Sequence, residues 1–288
     1  MDILASGCSF TALSGNGERT WAHMLPATYI AAGNGFDNGT ISRLIIYNSK
    51  KLLDKNKDFG VIVQWSGVDR KSLFVDANDT VDFYDLQEKY NFIDSGQPEE
   101  DMSTDGSWAI NAGKAMKAHD FWSTYFSTYY SEQGMLIQTL EYVLRTQWFL
   151  KANHIPYRMF CGWDIFGFYP SEGTYGTQFT MNGEIYSNND HVVLAEQYVN
   201  TKYLWDLIDW DKFWTFTNDK VQVGGSSQWV QNNMNELDTD GSSLWYRSSP
   251  ALGQVPDFHP TEKAWSQFTE KVISPMIGEM ENEIIAYQ

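Results

Sequence analysis

Hydrophobic positions along this chain alternate between short continuous runs and longer stretches with helical spacing. The first run, Ile3-Leu4-Ala5, stops at Gly7, which predicts a strand ending in a tight turn that lifts Ser9 off its C-terminal end. Residues 19–25 carry Trp21, Met24 and Leu25 and are followed by Pro26, predicting a short helix. Residues 28–32 predict a second strand, stopped by the glycine-rich turn of 33–39, after which Ile41, Leu44, Ile45 and Leu52 recur at helical spacing. Residues 59–65 form the clearest strand, nearly all apolar and rich in β-branched residues, as a central parallel strand should be.

From residue 71 to about 108 the pattern breaks into short alternating stretches and polar runs, read as a surface insertion, a small hairpin or a lid. Helical spacing returns over 121–150, as two helices broken near Gly134, and residues 156–163 predict a fourth strand. Residues 167–189 read as a long loop, 191–207 as a helix, 213–216 as a short fifth strand and 218–255 as a second long irregular insertion. The final helix is expected after Pro260, through Trp265, Phe268 and Val272, with Pro275 bending it or ending its first part. Strands separated by helices predict one α/β domain over 1–288, a parallel sheet of about five strands with helices on both faces. The functional edge of such a sheet is its row of strand C-termini, where Ser9, Gly35, Ser66 and His259 are expected.

Charge narrows the partners. A net charge of -17, from 20 Lys and Arg against 37 Asp and Glu, argues against binding a nucleic-acid backbone or an anionic membrane surface. Aromatic residues reach 16%, a load that suits sugar stacking as well as core packing. Cys8 and Cys161, without CxxC spacing, do not make a disulfide scaffold, and His23, His119, His154 and His191 lack metal-ligand spacing, so no metal or other cofactor is expected. No signal-like segment opens the chain and no apolar run has membrane-spanning length, so a cytoplasmic protein is expected.

The chemistry lies at the two ends. Acyl transfer needs a nucleophile, a base in reach, a group orienting that base, and donors for the oxyanion. Ser9, His259 and Asp257 supply the first three, and the backbone N–H groups of Ser9 and Gly35 supply donors. Each residue also has a plainer use: Ser9 as a helix cap, His259 as the entry to the last helix, and residues 33–39 as a simple turn, since they spell neither a P-loop nor GxGxxG. A glycosidase carboxylate pair among Asp54, Asp58, Glu99, Glu100 and Asp101 is open, but no two of them are singled out, and these acids read as a solvated face. Arg70 reads as structural or as the partner of an acid near the pocket, and Trp163, Tyr169, Tyr175 and Trp229 as groove or packing residues.

In these end motifs the chain resembles the SGNH (GDSL-type) hydrolases, esterases and lipases with a flavodoxin-like three-layer fold. Gly7-Cys8-Ser9-Phe10-Thr11 is similar to the block carrying the nucleophile, Gly35-Phe36-Asp37-Asn38 to the block with the oxyanion glycine, and Asp257-Phe258-His259-Pro260 to the final block. The order spans nearly the whole chain, with His259 about thirty residues from the end. Two departures stand out. Ser66, in Gln64-Trp65-Ser66-Gly67, occupies the place of the family's oxyanion Asn, and one residue rather than two separates Asp257 from His259. The wording Gly-Cys-Ser-Phe-Thr and Val-Gln-Trp-Ser also resembles SGNH-like proteins of tailed bacteriophages. The resemblance implies a serine esterase acting on an acyl ester, acetyl above all, of a small molecule or carbohydrate. The other expectation is a catalytically weak or inactive relative serving as a sugar-binding or structural part of an assembly, with a virion component or a second copy as partner.

Overall fold

The computed structural model describes residues 1–13, 18–26, 28–76, 106–111, 120–166, 178–181, 184–187, 199–217, 224–233, 246–249 and 255–287. β1 (Asp2–Gly7) buries Ile3, Leu4 and Ala5 and leads into a turn and a 3₁₀ helix at Trp21–Met24, shorter than the helix expected there. β2 (Thr28–Ala32), α1 (Asn38–Asp54) and β3 (Phe59–Trp65) follow, and every residue of β3 is buried. α1 is started by Asp37, whose carboxylate accepts from the Thr40 amide at 3.0 Å, and it buries Ile41, Leu44, Ile45 and Leu52. The insertion after β3 opens and closes with a hairpin-like pair, β4 (Lys71–Asp76) against β5 (Gly106–Asn111), antiparallel; residues 77–105 are outside the described residues.

α2 (Asp120–Thr128) and α3 (Glu132–Ala152) come next. The break between them falls just before Gly134, where Ser131 caps α3 by accepting from the Gly134 amide. β6 (Tyr157–Cys161) is the fourth strand of the sheet. Within the expected loop of 167–189, β7 (Gln178–Met181) and β8 (Glu184–Ser187) pair antiparallel. Of the expected helix over 191–207, the described part holds only α4 (Lys202–Trp205), followed by a 3₁₀ turn at Trp210–Lys212 and β9 (Phe213–Trp214).

The segment 218–255, expected to be irregular, contains α5 (Ser226–Asn233) and β10 (Tyr246–Ser249). β10 pairs antiparallel with β11 (Val255–Pro260), which carries Asp257 and His259. α6 (Glu262–Phe268), a π-helical turn at Thr269–Ile273 and α7 (Ser274–Tyr287) complete the chain. Pro275 sits directly after the widened turn, in which the Ser274 amide reaches back to the Thr269 carbonyl, so the helix passes through the proline without ending.

The main sheet has the order β2-β1-β3-β6-β9 with every pair parallel. α1 packs on α3 as one helical layer, tied by Ser42 Oγ to Thr146 Oγ1 at 2.7 Å. The 3₁₀ helix, α6 and α7 form the other, burying Trp21, Trp265, Phe268, Ile273 and Met280. This is a flavodoxin-like three-layer α/β architecture. Its strand order reverses beside β1, so β1 lies between β2 and β3, and the loops that follow all three meet at one edge.

Candidate active site

The turn that ends β1 is held from three sides. The Thr11 and Ala12 amides bond the Cys8 carbonyl at 2.8 and 3.0 Å, which makes one helical turn with Ser9 near its start and partly exposed. Gln64, fully buried on the neighbouring strand, accepts from Thr11 Oγ1 at 3.1 Å and from Cys8 Sγ at 3.4 Å, and donates to the Trp65 carbonyl at 2.7 Å. From the other side Trp21 Nε1 donates to Thr11 Oγ1 at 3.2 Å, and Thr20 Oγ1 donates to the Thr11 carbonyl at 2.6 Å. The approach of Thr11 and Gln64 leaves no room at Gly7, where an added Cβ would lie 2.2 Å from Thr11 Oγ1 and 2.8 Å from Gln64 Oε1.

His259 reaches this turn from the far end of the chain. Its Nε2 lies 2.7 Å from Ser9 Oγ, across 250 residues of sequence. With the ring proton on Nδ1, Nε2 accepts the serine O–H, the geometry of a nucleophile and its base. The ring stands edge-on to Phe10, centroids 4.9 Å apart, and Phe10 also meets Trp163 at 5.4 Å and Trp265 at 5.8 Å. Directly after His259 and Pro260, Thr261 caps α6 by accepting from the Ala264 amide at 3.3 Å, so the histidine is anchored at the mouth of a well-started helix.

Asp257 lies two residues before His259 on β11, and its side chain is outside the described residues. Here the strand is irregular: Ser248 pairs with Pro256 and Tyr246 with Pro260, so between these pairs one residue of β10 faces three of β11. The register shift between β10 and β11 falls across the segment from Asp257 to His259.

The expected oxyanion residues occupy the two loops beside Ser9. Gly35 follows β2 with φ 76°, a left-handed conformation that favours glycine. Gly33 extends the β1–β2 pairing through its amide to the Gly7 carbonyl, and Phe36 folds back onto Gly33. Among the described residues the amides of Ser9 and Gly35 have no hydrogen-bond partner. Ser66 follows β3 and is fully buried. Its amide donates to Asn38 Oδ1 at 2.7 Å, its carbonyl accepts from Asn38 Nδ2 at 2.9 Å, and its hydroxyl is enclosed without a partner among the described residues.

Several residues of this arrangement were not singled out by sequence. Gln64 is the one polar side chain in the apolar run of β3, and that interruption is its signal. Asn38, in the glycine block, stitches the loop after β2 to the turn after β3. Gly162, after β6, bonds the Trp65 carbonyl through its amide, and its own carbonyl accepts from the Ser227 amide and from Ser226 Oγ, each at 2.9 Å. That pair of bonds seats α5 over the strand end, where it also packs against β11. Cys161 is buried, which pushes its thiol well above the ordinary range, with Asp164 adding to the effect, so it is an inert neighbour. Among the described residues no group of three or more His, Cys, Asp or Glu is placed to hold a metal ion, and no helix is long and apolar enough to cross a membrane.

The fold and this strand-end row define a flavodoxin-like α/β protein with a serine and a histidine in hydrogen-bond contact. Comparison with protein-family models, with curated proteins and with solved structures finds no match for the chain.

Proposed function

We propose that the chain is a serine esterase of SGNH type that removes an acyl group, acetyl in the first instance, from a carbohydrate ester. The observation that carries this reading is the 2.7 Å contact between Ser9 Oγ and His259 Nε2 at the C-terminal edge of the sheet. In the proposed reaction Ser9 Oγ attacks the ester carbonyl while His259 takes its proton. The oxyanion is met by the amides of Ser9 and Gly35, and His259 returns the proton to the departing sugar hydroxyl. Water, deprotonated by the same imidazole, then releases the carboxylic acid and restores Ser9. Aromatic residues near the site, Trp163 among them, offer stacking surface for a sugar ring.

The second reading, a weak or inactive relative acting as a sugar-binding or structural part of an assembly such as a phage particle, is favoured by Ser66. Its amide is committed to Asn38 and its hydroxyl is enclosed, so it offers an incoming oxyanion no donor in this arrangement. Hydrolysis of p-nitrophenyl acetate and of O-acetylated sugars separates the two. The esterase reading expects turnover that Ser9→Ala abolishes, a loss of several powers of ten, and that Asp257→Asn lowers by far less than His259→Ala. Turnover unchanged in Ser9→Ala removes the serine mechanism, and no turnover in the wild type leaves the binding reading.

A further inference from the structure

The turn after β3 carries an arginine that forms no ion pair among the described residues. Arg70 closes this turn, its amide bonding the Gly67 carbonyl at 3.3 Å, and its guanidinium lies over the Trp163 ring at 5.0 Å. Trp163 in turn meets Phe10, and Phe10 meets His259, so two rings link Arg70 to the imidazole. Gly67 makes the stack possible, since a Cβ there would come within 3.1 Å of Trp163 Cζ2 and 2.9 Å of Asp69 Oδ1.

Among the described residues Arg70 has no ion pair, and its Nη1 is enclosed without a hydrogen-bond partner while the residue as a whole is partly exposed. An enclosed charged donor without a partner is a costly arrangement, relieved where water or a ligand supplies the partner. Arg158, by contrast, is buried and answered by two glutamates. Stacking engages only the face of a guanidinium and leaves the accessible in-plane N–H groups of its fork for a planar anion. The surrounding charge makes the fork more telling: a chain with net charge -17 repels anionic ligands in general, and a local cation is what would admit one.

We infer that Arg70, held on Trp163, is an anion-recognising subsite of the Ser9–His259 cleft, and that the sugar ester taken there carries a carboxylate, as a uronic acid does. The substrate class rests on the esterase reading; the subsite does not. A phosphorylated sugar offers the same charge with a different shape, and the test distinguishes the two.

The experiment titrates galacturonate, galactose 6-phosphate and galactose into the full chain calorimetrically, in the wild type, Arg70→Gln and Arg70→Lys. Galacturonate is expected to bind about 10- to 100-fold more tightly than galactose, the range of a charged hydrogen-bonded pair. Arg70→Gln is expected to erase that preference, and Arg70→Lys, which keeps the charge without the fork, to restore only part of it. A stronger preference for galactose 6-phosphate than for galacturonate overturns the carboxylate assignment. No preference for either anion over galactose in the wild type, or a preference that survives in Arg70→Gln with an unchanged melting temperature, overturns the subsite. Because binding is read without turnover, an anion preference in a chain that hydrolyses no ester sinks the esterase reading alone. Hydrolysis of neutral acetylated sugars without anion preference sinks the subsite alone.

Discussion

Gln64 does at the residue scale what no other side chain of β3 does. It is fully buried, and each of its polar atoms is used: the oxygen by Thr11 and Cys8, the nitrogen by the Trp65 carbonyl. The serine turn is thereby pinned to the neighbouring strand through side chains, because Ser9 lies beyond the last backbone pair of β1. Gln64→Leu keeps the volume but strips Thr11 Oγ1 and Cys8 Sγ of their acceptor. It is expected to lower stability by about 1–3 kcal/mol in urea unfolding. In the proposed reaction it is also expected to lower kcat by about 10- to 100-fold with KM little changed, since the turn that aims Ser9 is loosened. A Gln64→Leu variant of unchanged stability would show that the three bonds contribute nothing net.

At the scale of elements, the site depends on how closely α5 is seated. Gly225, just before α5, lies against the strand end after β6: a Cβ there would come within 2.2 Å of the Cys161 carbonyl oxygen and 2.6 Å of the Trp163 amide nitrogen. Both neighbours are backbone, so neither can swing aside. Gly225→Ala is therefore expected to lift α5 off the strand end and destabilise the protein by about 1–3 kcal/mol, measured as a fall in the urea midpoint. Because α5 packs against β11, the same variant is expected to loosen the hold on His259 and to weaken the proposed turnover more than stability alone explains. Gly278 is the control: a Cβ there meets nothing within 4 Å, so Gly278→Ala is expected to be neutral or to stabilise α7 by about 1 kcal/mol.

Over the whole molecule, the C-terminal helix is fastened to the sheet by charge. Arg158 on β6, almost fully buried, pairs with Glu279 at 3.0 Å and Glu283 at 2.6 Å, and Lys212 also bonds Glu283. Burial alone would raise the Glu283 pKa, but the hydrogen bonds and charges of Arg158 and Lys212 outweigh it and hold the carboxyl below its ordinary value. A carboxyl depressed on folding adds stability that is full above its unfolded pKa and is lost as pH falls through its folded pKa. Glu283→Gln is therefore expected to be less stable than the wild type at pH 7, with the gap closing as pH drops below about 4, the unfolded carboxylate range. A gap that stays constant with pH would assign the effect to packing.

The apolar pattern by itself determined the alternation of strands and helices, the bounds of β2 and β3, and the split between α2 and α3. These follow from burial of one face or of a whole strand, and burial leaves its period in the sequence. Ser9, Gly35 and His259 were legible as motifs because turn chemistry and reactive groups are local. α5 was not: it buries Ser226, Ser227 and Gln228, whose polar atoms are met by the Gly162 carbonyl and the Gly225 amide, so no apolar stripe announced it. Of the helix expected over 191–207, residues 191–198 lie outside the described residues, and Lys202–Trp205 is helical. Tertiary structure alone decided that Ser9 and His259 meet, that Asn38 takes the Ser66 amide and that Arg70 lies over Trp163. Each is a pairing between distant segments, and hydropathy records whether a side chain is buried but not which group it is buried against.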